Sequence, residues 1–258
     1  MKEAIHRGLY RCIRRIVWLF SPKYRLVGVE NLPEGACVIA GNHCQMYGPI
    51  ATELYTPGPH KTWCIGEMMH KEEVADYAYQ DFWSGKPRYI RWFFRLFSHM
   101  ITPLAVLIFN QADTIPVYHD ARGVTTFKET VKCLCNDEKV AIFPECYDEH
   151  NNIVHEFQEG FVDVAKLYWR KTKQELSFVP MYIAPNLNEI HFGKPVQYDA
   201  SRPVGEERAR IAGELMDTIT EMAVALPEHV VVPYPNIPRR EYPKNLPLEV
   251  YTNEKTTV

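Results

Sequence analysis

Two points in this 258-residue chain set reactive side chains where chemistry is favoured. Asn42-His43 follows the apolar run 36–40 and Gly41, and Glu145 follows the run 139–143 and Pro144. Both runs read as buried strands, and in open α/β sheets ligands sit beyond the carboxyl ends of strands. An imidazole titrates near neutral pH, so His43 can take or give a proton there. Glu145 can bind a hydroxyl or an ammonium, or balance the charge of an imidazolium. Cys44 and Cys146 adjoin these residues; a thiol beside an imidazole can be a nucleophile, although a free cysteine is more often a small buried hydrophobe. His119, His150 and His155, with Asp120, Asp148 and Glu149, match no familiar ligand spacing, so no metal is expected and solvated loop charge accounts for them.

Taken in order, Gly28-Val-Glu-Asn-Leu-Pro33, Asn42-His43-Cys-Gln-Met-Tyr-Gly48-Pro49, Asp113-Thr-Ile-Pro-Val117, Phe143-Pro-Glu145 and Phe178-Val-Pro180 are similar to the motifs of the glycerolipid acyltransferases. Over roughly residues 25–200 the chain resembles the PlsC-type lysophosphatidic acid acyltransferase family, and the combination is more specific than any single piece. The resemblance implies an α/β acyltransferase fold, a membrane-associated N-terminal helical element and acyl transfer from a thioester to an acceptor. It also implies that His43 is the general base, taking the acceptor's proton as it attacks the thioester carbonyl. In the family an Asp, separated from the His by four intervening residues, fixes the tautomer and stabilises the imidazolium; here Gly48 stands in its place. Loss of such a carboxylate costs about 10⁴ in rate in the serine proteases. Either another acid reaches His43, or a tyrosine such as Tyr47 orients it, or the reaction is lost.

The family's Phe-Pro-Glu-Gly-Thr-Arg motif reads Phe143-Pro-Glu145-Cys146-Tyr147-Asp148 here. An Arg usual after Ile-Pro-Val is replaced at about that place by His119, with Arg122 three residues on. Those arginines resemble clamps for the acceptor's phosphate, a job that guanidinium geometry suits. With one clamp gone and Asp148 and Glu149 reversing the sign, the acceptor is expected to be neutral or cationic, an amine or a sugar or polyol hydroxyl, and not lysophosphatidate. The expected catalytic residues are His43 and Glu145; Asn42, Tyr47, His119, Arg122, Cys146 and Asp148 are the expected substrate-binding ones. Backbone amides of the motif loops would stabilise the oxyanion. Acyl-CoA or acyl-ACP (acyl carrier protein) is the implied co-substrate and partner, and no further cofactor is needed. Lys61 and Lys71 fall where the family carries a basic residue near the donor. Trp63, Met68, Met69, Phe82 and Trp83 either line an acyl groove or pack a core.

The elements that must position these residues read as an α/β domain with a mixed, largely parallel central sheet flanked by helices. Further strands lie within 175–183 and 188–193, and helices cover 125–134, 160–171 and 206–226. Composition, at 46% apolar and 24% charged, excludes disorder and coiled coil, and a net charge of −3 gives no support for nucleic-acid binding. Seven bases face Glu3 alone within residues 1–25. Residues 4–20 carry apolar residues at helical spacing with Arg7, Arg11, Arg14 and Arg15 largely on another side, and 88–101 interleaves aromatics with arginines before Pro103; both suit a headgroup-level contact. No uncharged apolar run of 18 residues occurs, so the chain is expected to lie on a membrane's cytoplasmic face and not to span it. Seven scattered cysteines without a signal peptide point to free thiols in a reducing compartment. The division expected is a membrane-associating helix over 1–25, an acyltransferase domain over 26–226 and a Pro-rich extension over 227–258. A catalytically degenerate relative that binds lipid or acyl carrier protein is the alternative, and the oligomeric state is open.

Overall fold

A computed structural model describes residues 2–246. In chain order the elements are α1 (Lys2–Phe20), β1 (Arg25–Val27), β2 (Cys37–Gly41), α2 (Tyr47–Tyr55), β3 (His60–Ile65), α3 (Lys71–Ala78), α4 (Arg88–Gln111), β4 (Thr114–Val117), α5 (Gly123–Leu134), β5 (Lys139–Ile142), β6 (Glu145–Glu149), β7 (His155–Phe157), α6 (Asp163–Thr172), β8 (Ser177–Ala184), β9 (Glu189–Phe192), β10 (Val196–Gln197) and α7 (Val204–Val224). The fold is α/β, and its sheet is mixed and largely parallel. Two compact units share the chain discontinuously: residues 22–60 with 130–246, and residues 2–21 with 61–129. Pro247 and the stretch 252–258 of the expected C-terminal extension lie outside the described residues.

In the larger unit the strand order is β1-β9-β8-β2-β5, with β10 antiparallel on β8. β2 runs parallel to both neighbours, and β8 meets β9 antiparallel. Every residue of β2 and β5 is buried, which is why these strands read as unbroken apolar runs and not as an alternation. Ile39, Val179, Met181, Ile183 and Phe192 form the centre of one core face. Burying each such side chain contributes about 1.5–3 kcal/mol. The β1 strand enters the sheet through Gly28, whose φ of 75° is open to glycine at no cost, and a Cβ there would meet the Phe192 carbonyl oxygen at 2.2 Å.

The smaller unit holds the parallel pair β3–β4, with Thr62 beside Thr114 and Ile65 beside Val117, together with α1, α3, α4 and most of α5. Met68, Val74 and Ala105 make its core. Of the other candidate groove residues, Trp83 stacks on Phe94 and Trp63 meets Phe127 edge-on. The segments on either side of Pro103 form one continuous helix. By length and composition α4 could cross a membrane, because its apolar stretch carries few charges. That test rests on length and composition alone, and the core helix of a soluble protein passes it as well.

Candidate functional site

Register decides where the two reactive points meet. Ala40 of β2 pairs with Ile142 of β5 in parallel, and His43 and Glu145 each stand three residues beyond that pair. Glu145 is 4% exposed. Its Oε2 accepts from the backbone N–H of His43, and its Oε1 accepts from the backbone N–H of His155 on β7 at 2.8 Å. One carboxylate thus ties the loop after β2 to the β6–β7 hairpin. Burial pushes the Glu145 carboxyl up to about 7, against the pull of those two amides, which favour the ion.

The loop after β2 is fixed from below by Asn42. Its Oδ1 accepts from Ile183 N–H at 2.8 Å, and its Nδ2 donates to the Ile183 carbonyl at 3.1 Å and lies 2.8 Å from Cys44 Sγ. Both ends of the amide are therefore engaged within the fold, and the side chain holds the loop to β8. Cys44 and Gln45 then take left-handed φ values of 49° and 54° in succession, a conformation that non-glycine residues adopt at a cost of about 1–3 kcal/mol each. The turn closes with Gly48 N–H donating to the His43 carbonyl at 3.2 Å. A Cβ on residue 48 would stand 2.2 Å from that same oxygen, so the backbone leaves no room for an aspartate there.

The His43 imidazole lies edge-on to two rings, Phe143 at 5.3 Å and Tyr234 at 5.6 Å between centroids. Its Nδ1 is shut from solvent, with no hydrogen-bond partner of good geometry among the described residues. Burial pushes the imidazole down to about 4, with the Gln45 backbone acting in the other direction. At neutral pH it is the uncharged form that occupies the site. Burial also raises the Cys44 thiol well above its ordinary value, with Glu145 adding to the shift, so the environment favours the neutral thiol over the thiolate.

The remaining expected residues divide. Tyr47 is exposed, and its hydroxyl accepts from Arg239 at 3.3 Å; the tyrosine that meets His43 is Tyr234. Cys146 is half-buried, with Sγ 3.8 Å from Asp148 Oδ2 on the exposed arm of β6. His119 and Arg122 belong to the smaller unit. There Arg122 donates to Asp120 at 2.9 Å and to Glu73 at 3.3 Å, and its guanidinium lies 4.1 Å from the centre of the Tyr118 ring. Among the described residues no three His, Cys, Asp or Glu side chains converge in a way that could hold a metal ion.

Two residues of the site escaped the sequence reading. His155, counted there as loop charge, is buried with its ring beside Tyr234 at 5.9 Å, and its Nδ1 also lacks a partner among the described residues. Tyr234 sits between two prolines in the C-terminal segment, and that aromatic within a Pro-rich tail was the one signal available.

No protein-family model matches this sequence, and no curated protein matches it. Among solved structures it is similar to the 1-acyl-sn-glycerophosphate (LPA) acyltransferase PlsC from Thermotoga maritima, at 13% identity and a TM-score of 0.46, over 86% of this chain and 83% of that one.

Proposed function

We propose that the protein is an acyltransferase that moves a fatty acyl group from acyl-ACP or acyl-CoA to a hydroxyl or amine acceptor, with His43 as general base. The observation that carries this reading is the meeting of His43 and Glu145 at adjacent parallel strand ends, joined through the His43 amide. A base must be unprotonated to act, and burial keeps His43 so at neutral pH. The hydrogen bonds of Glu145 run to backbone amides, so its part in this reading is to hold the loop that carries His43. The acceptor is neutral or cationic, since the charge of Arg122 is met by Asp120 and Glu73 and the arm after Glu145 carries Asp148 and Glu149.

The protein works at a membrane surface in this proposal. On α1 the exposed apolar side chains include Ile5, Leu9, Leu19 and Phe20, the last 87% exposed. On α4 they include Trp92, Leu96 and Met100, with Arg88, Arg91 and Arg95 along the same first turns. Aromatics and arginines mixed in this way suit the headgroup level, and the protein is read as peripheral or monotopic on the cytoplasmic face.

A second reading has its own observation: the turn at Gly48 excludes an orienting acid at that position, which favours a catalytically degenerate protein that binds lipid or acyl carrier protein. Mass spectrometry of acyl transfer from acyl-CoA and acyl-ACP to lysophosphatidate, lysophospholipids, amines and sugars, with His43→Ala in parallel, separates the two. A His43-dependent product on a non-phosphate acceptor is expected. A lysophosphatidate product of equal rate would overturn the acceptor assignment. No product from any acceptor, together with retained binding of acyl-ACP or vesicles, would establish the degenerate protein.

A further inference from the structure

The turn at Gly48 leaves the imidazole without the side chain that would orient it, yet the ring is not loose. Phe143, at the end of β5, meets one edge and Tyr234 another, with interplanar angles of 70° and 85°. The Tyr234 ring also touches His155 on β7 and Tyr147 on β6. It therefore stands at the centre of the aromatic cover over the site.

Tyr234 is held there by anchors along the whole of its segment. At the root, His229 is buried with its Nε2 2.7 Å from the Tyr182 hydroxyl, and its N–H donates to Asn245 Oδ1 at 2.8 Å. Asn245 in turn donates to the Ala223 carbonyl at the end of α7 at 2.7 Å. Val231 N–H donates to the Pro243 carbonyl at 2.8 Å, so the segment folds back on itself, and Val231 and Val232 are buried. At the near end Gln45 Nε2 donates to the Pro235 carbonyl at 3.1 Å and to the Tyr242 hydroxyl at 3.0 Å. Gln45 is one of the two left-handed residues of the His43 loop. The loop and the segment thus brace each other on either side of Tyr234.

We propose that Tyr234 is a positioning residue for His43: its ring, braced by the C-terminal segment, fixes the orientation of the imidazole that residue 48 has no room to fix. The inference rests on the reading of His43 as the base. A rigid ring contact limits rotation of the imidazole but supplies no charge to stabilise the imidazolium. The titratable groups beside the His43–Tyr234 pair are Cys44 in the His43 loop, Glu145 on the His43 amide, and Tyr147 and His155 against the Tyr234 ring. The arrangement favours the neutral imidazole, in agreement with its depressed pKa.

The test uses the full chain with isotopically labelled histidine, comparing wild type, Tyr234→Phe, Tyr234→Ala and Tyr234→Leu, with His43→Gln to assign the resonance. In Tyr234→Ala the His43 midpoint is expected to rise by at least about one unit towards the ordinary 6.5, with faster ring motion, while Tyr234→Phe titrates as wild type. In transfer assays Tyr234→Ala is expected to lower kcat by about tenfold or more with the acceptor KM within about threefold, and Tyr234→Phe to retain the rate. Should Tyr234→Ala lose its cooperative unfolding transition, Tyr234→Leu, which keeps an apolar cover without a ring, is read for ring motion and kcat in its place. A folded variant whose His43 midpoint, ring motion and kcat are all unmoved would overturn the proposal, as would a Phe variant damaged as badly as the Ala one. If the wild type transfers nothing to any acceptor, the base reading has failed, and the titration and ring motion still decide whether Tyr234 positions His43.

Discussion

The larger and smaller units treat their reactive charges in opposite ways. In the larger one, His43 and Glu145 are withdrawn from solvent, and neither ring nor carboxylate forms an ion pair among the described residues; burial moves the imidazole down to about 4 and the carboxyl up to about 7. In the smaller one, Arg122 stays exposed and paired. Asp120 and Glu73 hold its guanidinium above the ordinary value, while Arg122 holds the Asp120 carboxyl below its own. Burial without an ion pair favours the uncharged form of each group, whereas exposure with a partner yields charges that cancel. The proposed function places the chemistry at the strand ends for this reason, and takes the charge of Arg122 as already met by Asp120 and Glu73.

The largest effect expected is at the turn. Gly48→Asp would seem to restore the family's acid, but its Cβ would meet the His43 carbonyl oxygen at 2.2 Å. We expect a loss of about 3 kcal/mol or more in urea unfolding and no gain in transfer. A stable, faster variant would break the comparison, since it would show that the site tolerates a charged partner.

The pH dependence of stability sharpens the comparison next. For His43 the folded value of about 4 lies below the ordinary 6.5, so its contribution is present above pH 6.5 and is lost as pH falls towards 4. For Glu145 the folded value of about 7 lies above the ordinary 4.5, so its contribution is present below pH 4.5 and is lost as pH rises towards 7. Between those limits the two slopes oppose each other. His43→Leu removes one of them, and its stability relative to wild type should fall by up to about 3 kcal/mol from pH 4 to pH 6.5. Urea midpoints for the two proteins across that range give the measurement, and parallel profiles would show that His43 titrates normally.

Asn42→Ala comes third, at about 2 kcal/mol, because it strands the backbone groups of Ile183. In kinetics it should lower kcat through the loop and leave the acceptor KM alone; a rise in KM alone would return Asn42 to the substrate. Arg122→Gln should do least, leaving the unfolding midpoint nearly unmoved and acyl transfer within about threefold, as befits an exposed pair. A tenfold rise in KM for a phosphate-bearing acceptor or donor would show that the charge of Arg122 is available after all.

Where the sequence was read well, the signals were local. The runs 36–40 and 139–143 became β2 and β5 because strands covered on both faces must be continuously apolar. The helices α5 and α7 likewise follow apolar positions repeated at helical spacing. Reading failed where one local signal masked another. The motif over 42–49 was read without a helix, yet α2 starts at Tyr47 and Pro49 lies in its first turn, where no intrahelical N–H is needed. The β6–β7 hairpin is built largely from polar residues, exposed only along the far arm of β6, so it offered no apolar pattern. Residues 88–101 were read as a segment ahead of Pro103, and α4 runs through that proline to Gln111.

The sequence by itself determined which reactive groups exist and that His43 and Glu145 each follow a buried strand, because burial and period are written in neighbouring residues. It also showed that residue 48 is not an acid. Only the tertiary structure decided what these facts mean together. Parallel pairing of Ala40 with Ile142 brings Glu145 to the amide of a residue 102 positions away. The close approach of residue 48 to the His43 carbonyl depends on the path of the backbone, and the ring over His43 comes from the distant C-terminal segment. Both are contacts between parts of the chain whose separation carries no periodic trace, so they are set by the packing of the whole larger unit and by no residue's own preference.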